Sequence, residues 1–202
     1  MSRSRRSATA GSGSSLTRGA RVTLRPPTEE DIAAVKPWYQ EAVAASTGLP
    51  AADAPRLVGR GPSLDRGRAG ALPYEMEERL EAAQADPDAG LLAIVRVSDG
   101  TVIGLLDYRV NNPDRGWLTV GFIAVARGER GWGYGSEAVR LLEAEAKAER
   151  FRANVDARNG LGLYFWLRLG YRPARPDEVP GGPQSGMITM VRVADVARRR
   201  PG

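Results

Sequence analysis

Apolar positions follow two rhythms along this chain, and the change from one to the other marks its elements. Arg21 to Arg25 alternates Val22 and Leu24 with polar neighbours, the period of a half-buried strand, and Pro26-Pro27 ends it. Thr28 then offers a hydroxyl cap ahead of Glu29, Glu30 and Asp31, acids placed where a helix dipole is positive. The helix so begun continues through Ile32 and Val35 toward Val43, with Pro37 expected to kink or divide it. A second helix is expected from about Tyr74 to Ala85, with Met76 and Leu80 on one face. Between them, residues 46–73 are rich in Gly, Pro, Arg and Asp without periodicity. This stretch reads as a long loop, of a kind that is often functional.

The rhythm then changes to strands. Leu91–Val97 and Thr101–Val110 flank Asp99-Gly100, a strong hairpin signal. A turn over Asn111 to Gly116 leads to the apolar run Trp117–Val125. After a glycine-rich segment, Ala138, Val139, Leu142 and Ala146 recur at helical spacing, and Arg152–Asp156 reads as the next strand. The central order is therefore strand, glycine-rich turn, helix, strand.

Composition narrows the chemistry. The 202 residues suit one domain, placed at 21–195 between a disordered basic tail over 1–20 and a short basic tail over 196–202. Arg3, Arg5, Arg6 and Arg18 at one end and Arg198, Arg199 and Arg200 at the other account for the net charge of +5. Without these seven the body holds 22 basic against 24 acidic residues, so nucleic acid is disfavoured as a partner of the folded part. Binding of nucleic acid or an anionic surface through the tails alone is the rival that their arginines keep open. No run approaches the ~18 apolar residues of a membrane span, and the start lacks a secretory apolar core. The expectation is a cytoplasmic chain without a membrane partner, although an Arg- and Ser-rich start also fits an organellar transit peptide. With no Cys and no His, thiolate nucleophiles, disulfides and the usual zinc sites are excluded, and no metal is expected. Any general acid or base must be Asp, Glu, Tyr, Lys, water or main chain.

The segment Ala126-Arg-Gly-Glu-Arg-Gly-Trp-Gly-Tyr-Gly-Ser136 sits between a strand and a helix. Such a turn aims main-chain N–H groups at one spot, where the helix dipole also favours an anion. Glycines permit close approach, and Arg130 adds a charge. A plain connecting turn would not require three alternating glycines in six residues. Among phosphate motifs, the P-loop fails because Tyr134 stands where its lysine belongs. A dinucleotide fingerprint fits Gly133-x-Gly135-x-x-Ala138 with Asp156 downstream. It places its glycines directly after the strand, however, whereas here seven residues intervene, and only 46 follow Asp156.

Arg130, Gly133 and Gly135 also meet the pattern Arg/Gln-x-x-Gly-x-Gly/Ala, and there the chain resembles the GCN5-related N-acetyltransferase (GNAT) superfamily. The run from Asn159 through Gly170-Tyr171 is similar to that family's second block, an Asn before a helix that ends in Gly-aromatic. The resemblance covers about residues 21–193 and is strongest over 117–172. It implies an α+β, three-layer fold with a mixed, mostly antiparallel sheet, flanked by helices and splayed between strands 117–125 and 152–156. It also implies acetyl-CoA (coenzyme A) in the splay. Main-chain groups of Ile123 and Val125 would pair with the pantetheine arm. Arg130, Gly131, Trp132, Gly133, Tyr134, Gly135 and Ser136 would hold the pyrophosphate. Asn159 would lie near the pantetheine or phosphate end, or cap the helix that follows it.

The activity the resemblance implies is N-acetyl transfer to a primary amine of a small molecule or peptide, by direct attack in a ternary complex. That reaction needs no nucleophilic side chain, which suits a chain without Cys and His. Trp166 occupies the position of the family's usual tyrosine acid, so it is expected against the cofactor or in the core. Tyr164, two residues earlier, is the candidate tyrosine in its stead, but at about 200° around the helix it faces away, so water, solvent or a tyrosine from elsewhere are the alternative acids. Asp107 is the candidate base, with Arg109 as an alternative ion-pair partner. The acceptor cleft is expected from the first helices, the 46–73 loop and the last strands, with Glu75, Glu77 and Glu78 able to attract a cation. A non-catalytic acyl-CoA sensor is the alternative that Trp166 suggests, and a homodimer stands as a partner option.

Overall fold

The alternation at Val22 and Leu24 becomes strand β2 (Val22–Arg25), with both apolar side chains buried. The computed structural model describes residues 17–46, 76–178 and 185–194. A short strand β1 (Thr17–Arg18) pairs antiparallel with β2, so the sheet begins before Arg21, inside the stretch expected to be tail. Residues 1–16 and 195–202 lie outside the described residues. So do all but the first residue of the expected 46–73 loop, Glu75, and the side chains of Glu77 and Glu78.

Helix α1 (Glu29–Ser46) starts as its sequence directs. The Asp31 N–H donates to Thr28 Oγ1 (3.2 Å), and the Thr28 N–H donates back to the Asp31 carboxylate (2.7 Å). That reciprocal cap satisfies orphan donors at the helix start, and Arg25 pairs with the same carboxylate. The helix runs on through Pro37 as one element, so of the two expected outcomes the division does not occur. Pro37 is exposed, while Val35, Tyr39 and Ala42 on either side of it are buried against Ala93, Val95, Leu105, Phe122 and Ala124. Packing on both sides of the proline holds one helix together. Met76 at the start of α2 (Met76–Ala85) joins the same cluster.

Strands β3 (Ala89–Arg96), β4 (Val102–Val110) and β5 (Trp117–Val125) follow as an antiparallel meander. Gly100 turns the β3–β4 hairpin at φ 74°, a left-handed value that favours glycine. A short 3-10 turn (Arg127–Glu129) and α3 (Tyr134–Glu145) then carry the chain to β6 (Arg150–Asp156), which lies parallel to β5. Helix α4 (Gly160–Arg168), β7 (Arg172–Pro173) and β8 (Met187–Val193) complete the chain. The eight strands order as β1-β2-β3-β4-β5-β6-β8-β7, antiparallel except at β5–β6. This is the mixed, mostly antiparallel sheet that the resemblance implies.

Two apolar clusters fill the two sides. On one, Leu106, Leu118, Val120, Phe151, Ala153 and Val155 meet Ala138, Val139 and Leu142 of α3 and Trp166 and Leu169 of α4. On the other lies the α1–α2 cluster, against Leu105, Phe122 and Ala124. Each central strand thus buries both faces, which explains its almost unbroken apolar sequence.

Candidate functional site

The site grows from a failure of pairing. β5 and β6 are in register from Trp117↔Arg150 to Val120↔Ala153 and no further. At the same level the β4–β5 register skips from Tyr108↔Val120 to Asp107↔Phe122, leaving Gly121 unpaired. An extra residue on one strand bends it and raises its twist, and glycine accepts such a bulge at little steric cost. Beyond Gly121, β5 stays bonded to β4, while Asn154 to Asp156 of β6 stay bonded to β8. The sheet opens as a wedge between them.

One wall of the wedge is an open strand edge. The Ala126 N–H donates to the Ile103 carbonyl across β4 (2.8 Å). Main-chain groups alternate in direction along a strand, so those of Ile123 and Val125 face the open side. The Val125 carbonyl is met there by Arg130, whose Nε donates to it at 2.9 Å. Sequence places Arg130 at a phosphate; the structure places it across the mouth of the loop, bonded to that carbonyl.

The glycine-rich turn sits at the head of this edge. Gly131 and Gly133 have φ of 85° and 80°, left-handed values that a side chain would strain. Gly133 caps α3, and no side chain caps that helix start. Among the described residues, the N–H groups from Gly131 to Ser136 donate to no protein acceptor. A Cβ at Gly135 would lie 3.5 Å from Phe165, 3.6 Å from Val125 and 3.7 Å from Ile123. The start of α3 therefore lies directly over the strand edge and beside α4. The turn, Ile123, Val125 and α4 come together as one groove, with Trp132 two-thirds exposed at its rim and Tyr134 and Ser136 half-buried. A row of free N–H donors at a helix start, continuous with an open strand edge, fits a ligand with a phosphate head and an amide-bearing arm.

Asn159 caps α4, its Oδ1 accepting from the Gly162 N–H at 2.8 Å. A Cβ at Gly162 would lie 2.6 Å from Asn159 Nδ2, so the cap depends on glycine there. Of its two expected roles, the structure displays the cap.

The remaining site residues divide. Asp107 is 8% exposed on the face that carries Leu105 and Phe122, paired in register with Phe122 beside the bulge. Its suggested partner Arg109 instead reaches Asp86, at 3.4 Å. Trp166 is 5% exposed, edge-on to Tyr171 (centroids 4.7 Å apart) and to Phe165 (5.1 Å), and belongs to the core. Tyr164 is 58% exposed, with its hydroxyl accepting from Arg168 Nη1 (3.4 Å) and Arg168 over its ring. The buried side of α4 is taken by Trp166 and Leu169, so a tyrosine two positions before Trp166 faces outward. In this arrangement Tyr164 lies on the side of α4 opposite Trp166, toward solvent, as its position about 200° around the helix implies.

Sequence reasoning missed Arg21 and Glu137. The Glu137 carboxylate on the first turn of α3 accepts from the Arg21 N–H (2.7 Å), Arg21 Nε (2.8 Å) and the Val22 N–H (3.4 Å). Arg21 Nη1 donates to the Trp132 carbonyl at 2.6 Å. Burial pushes the Glu137 carboxyl up, but these donors outweigh it and hold the group below its usual range. Also missed was Arg152, which is 4% exposed and bonds Thr119 Oγ1 (3.1 Å) and Asn112 Oδ1 (3.0 Å) on the Asp107 face. Burial lowers its pKa. It ties the 111–116 turn to the sheet at the closed end of the wedge.

The model of the acetyltransferase (GNAT) family matches residues 63–171, just over half of the chain. No curated protein matches the chain. Solved structures do. A probable acetyltransferase (GNAT family) from Chromobacterium violaceum matches with a TM-score of 0.60 and 20% identity, over 96% of each chain. An acetyltransferase from Thermus thermophilus matches with a TM-score of 0.58 and 20% identity, over 86% of this chain and 97% of that one. Spermidine N-acetyltransferase from Vibrio cholerae, in complex with CoA and spermine, matches with a TM-score of 0.57 and 12% identity, over 87% and 96%.

Proposed function

The chain belongs to the acetyltransferase (GNAT) family, whose cosubstrate is acetyl-CoA, and on that premise we propose that it acetylates a primary amine by direct attack with both substrates bound. The observation that carries this reading is the continuity of the free N–H groups of Gly131 to Ser136 with the open edge of Ile123 and Val125. Acetyl-CoA supplies the thioester whose acetyl carbon the amine attacks and whose thiolate departs. The turn and the α3 start hold its pyrophosphate, and the strand edge holds its amide-bearing arm. With the cofactor bound, its arm would take the Val125 carbonyl in place of Arg130, whose charge would then be free for the phosphates.

Asp107 removes the proton that the amine must lose as the new C–N bond forms and the C–S bond breaks. Its face of the sheet leads to the bulge at Gly121, where the edge opens. Solvent protonates the departing thiolate, since Trp166 is packed in the core and Tyr164 faces outward. The neighbour that holds CoA and spermine is consistent with an acceptor of the amine class.

Calorimetry with acetyl-CoA tests the reading. The native protein is expected to bind, and Gly133→Arg to lose binding while keeping its circular dichroism spectrum. A side chain there must adopt φ 80° and would place its Cβ 3.1 Å from Arg21 Nη2. A folded native protein that ignores acetyl-CoA would refute the proposal. The core position of Trp166 favours a second reading, a sensor that binds acyl-CoA without turning it over. Acetyl transfer well above background to any member of a broad amine panel would end that second reading.

A further inference from the structure

We infer that Arg21 is a positioning residue for the cofactor turn, holding the Trp132–Gly133 peptide so that the Gly133 N–H faces away from Arg21 and is free for a phosphate. The inference rests on the acetyl-CoA reading above and adds to it a residue from the far end of the chain.

The geometry is a two-sided fork. On one edge the Arg21 guanidinium donates its Nε to Glu137 (2.8 Å); at the other end its Nη1 donates to the Trp132 carbonyl (2.6 Å). Glu137 belongs to the first turn of α3, and Trp132 to the turn that precedes it. Arg21 therefore bridges the helix and the loop that enters it. The same side chain crosses the face of Tyr134, 5.9 Å from its ring centre, and covers the Cα of Gly133. Its backbone is fixed as well, because Glu137 also accepts from the main-chain N–H groups of Arg21 and Val22.

The effect on the turn follows from the planarity of the peptide. The carbonyl of Trp132 and the N–H of Gly133 belong to one trans unit and point in opposite directions. A donor clamped on the carbonyl thus sets the direction of the N–H. Gly131 and Gly133, both at positive φ, flank Trp132 and leave its peptides free to rotate in a way that a side chain would restrict. A turn of that freedom loses entropy on closing around an anion, and a clamp fixed beforehand reduces the loss. Only an arginine joins both acceptors with one planar group; a lysine ammonium supplies a charge without that fork.

The test compares acetyl-CoA with S-acetylpantetheine, which has the thioester arm and no pyrophosphate, by calorimetric titration and competition. Arg21→Ala is expected to weaken acetyl-CoA binding about tenfold, the scale of one hydrogen bond from a charged group. S-acetylpantetheine should be affected far less, so the ratio of the two affinities shifts. Arg21→Lys should lie between the native protein and Arg21→Ala, with a melting temperature close to native. Unchanged acetyl-CoA affinity in Arg21→Ala would overturn the inference. So would an equal loss for both donors, which would mark a general structural role. A native protein that binds neither donor would remove the acetyl-CoA reading and this inference with it, whereas native binding with indifferent variants would sink this inference alone.

Discussion

Asp107 stands on a central strand, flanked on its own face by Leu105 and paired with Phe122 of β5 beside the bulge. Asn replaces Asp107 with nearly the same shape and no basicity. Asp107→Asn is expected to lower turnover about a hundredfold or more, the usual contribution of a general base, with little change in melting temperature. Steady-state rates with a productive amine check this, and a variant that keeps half of native turnover would remove Asp107 from the mechanism. Asp107 could be singled out from sequence as a candidate because an acid breaks an apolar run. Arg21 and Glu137 could not, because each is one more charge on an amphipathic element and 116 residues separate them. What selects them is the fold, which lays the start of β2 beside the start of α3.

Helix α1 shows what happens when two local rules disagree. Its cap at Thr28 and its acidic first turn were legible, and the structure makes both contacts. Pro37 argued for a kink or a break, since proline removes one N–H and crowds the preceding turn. Packing of Val35, Tyr39 and Ala42 overrides that local preference, and periodicity alone gave no measure of its strength. The Ala33 carbonyl lies four residues before a proline and so lacks its helical donor. Pro37→Ala restores that donor at an exposed position and is expected to stabilise the protein. The gain is about 1–2 kcal/mol, after allowing for the freedom the unfolded chain regains. Thermal unfolding measures it, and a lowered melting temperature would show that α1 is not regular at this point. The glycine turn was legible for the opposite reason. Its chemistry demands residues that tolerate positive φ in a short span, so its requirement is written locally, whereas the wedge beside it depends on a register between β4, β5 and β6.

Across the whole molecule, charge pairing gives stability a two-sided dependence on pH. Hydrogen bonds from Arg25 outweigh burial and hold the Asp31 carboxyl below its ordinary range, and those from Arg158 do the same for Asp156. Glu137 is likewise lowered, where burial is overcome by the donors of Arg21 and Val22. A carboxyl with a lowered folded pKa stabilises above its unfolded value, about 4, and loses that contribution as pH falls toward the folded value. Glu143 has the opposite sign. Burial raises its pKa, against the Tyr171 hydroxyl that donates to it (2.5 Å) and the Arg192 guanidinium beside it. Its contribution is complete below the unfolded value and is lost as pH rises through the folded one. Stability should therefore rise slightly as pH falls from neutrality to the weakly acid range, then drop below about pH 4 as carboxyls such as these take up protons. Glu143→Gln removes the first limb and leaves the second, because the amide oxygen still accepts from Tyr171 but no longer titrates. Melting temperatures of the two proteins from pH 3 to pH 8 separate the limbs. If the native protein and Glu143→Gln give parallel curves throughout, the buried Glu143 does not titrate in this range, and its pairing with Arg192 outweighs its burial.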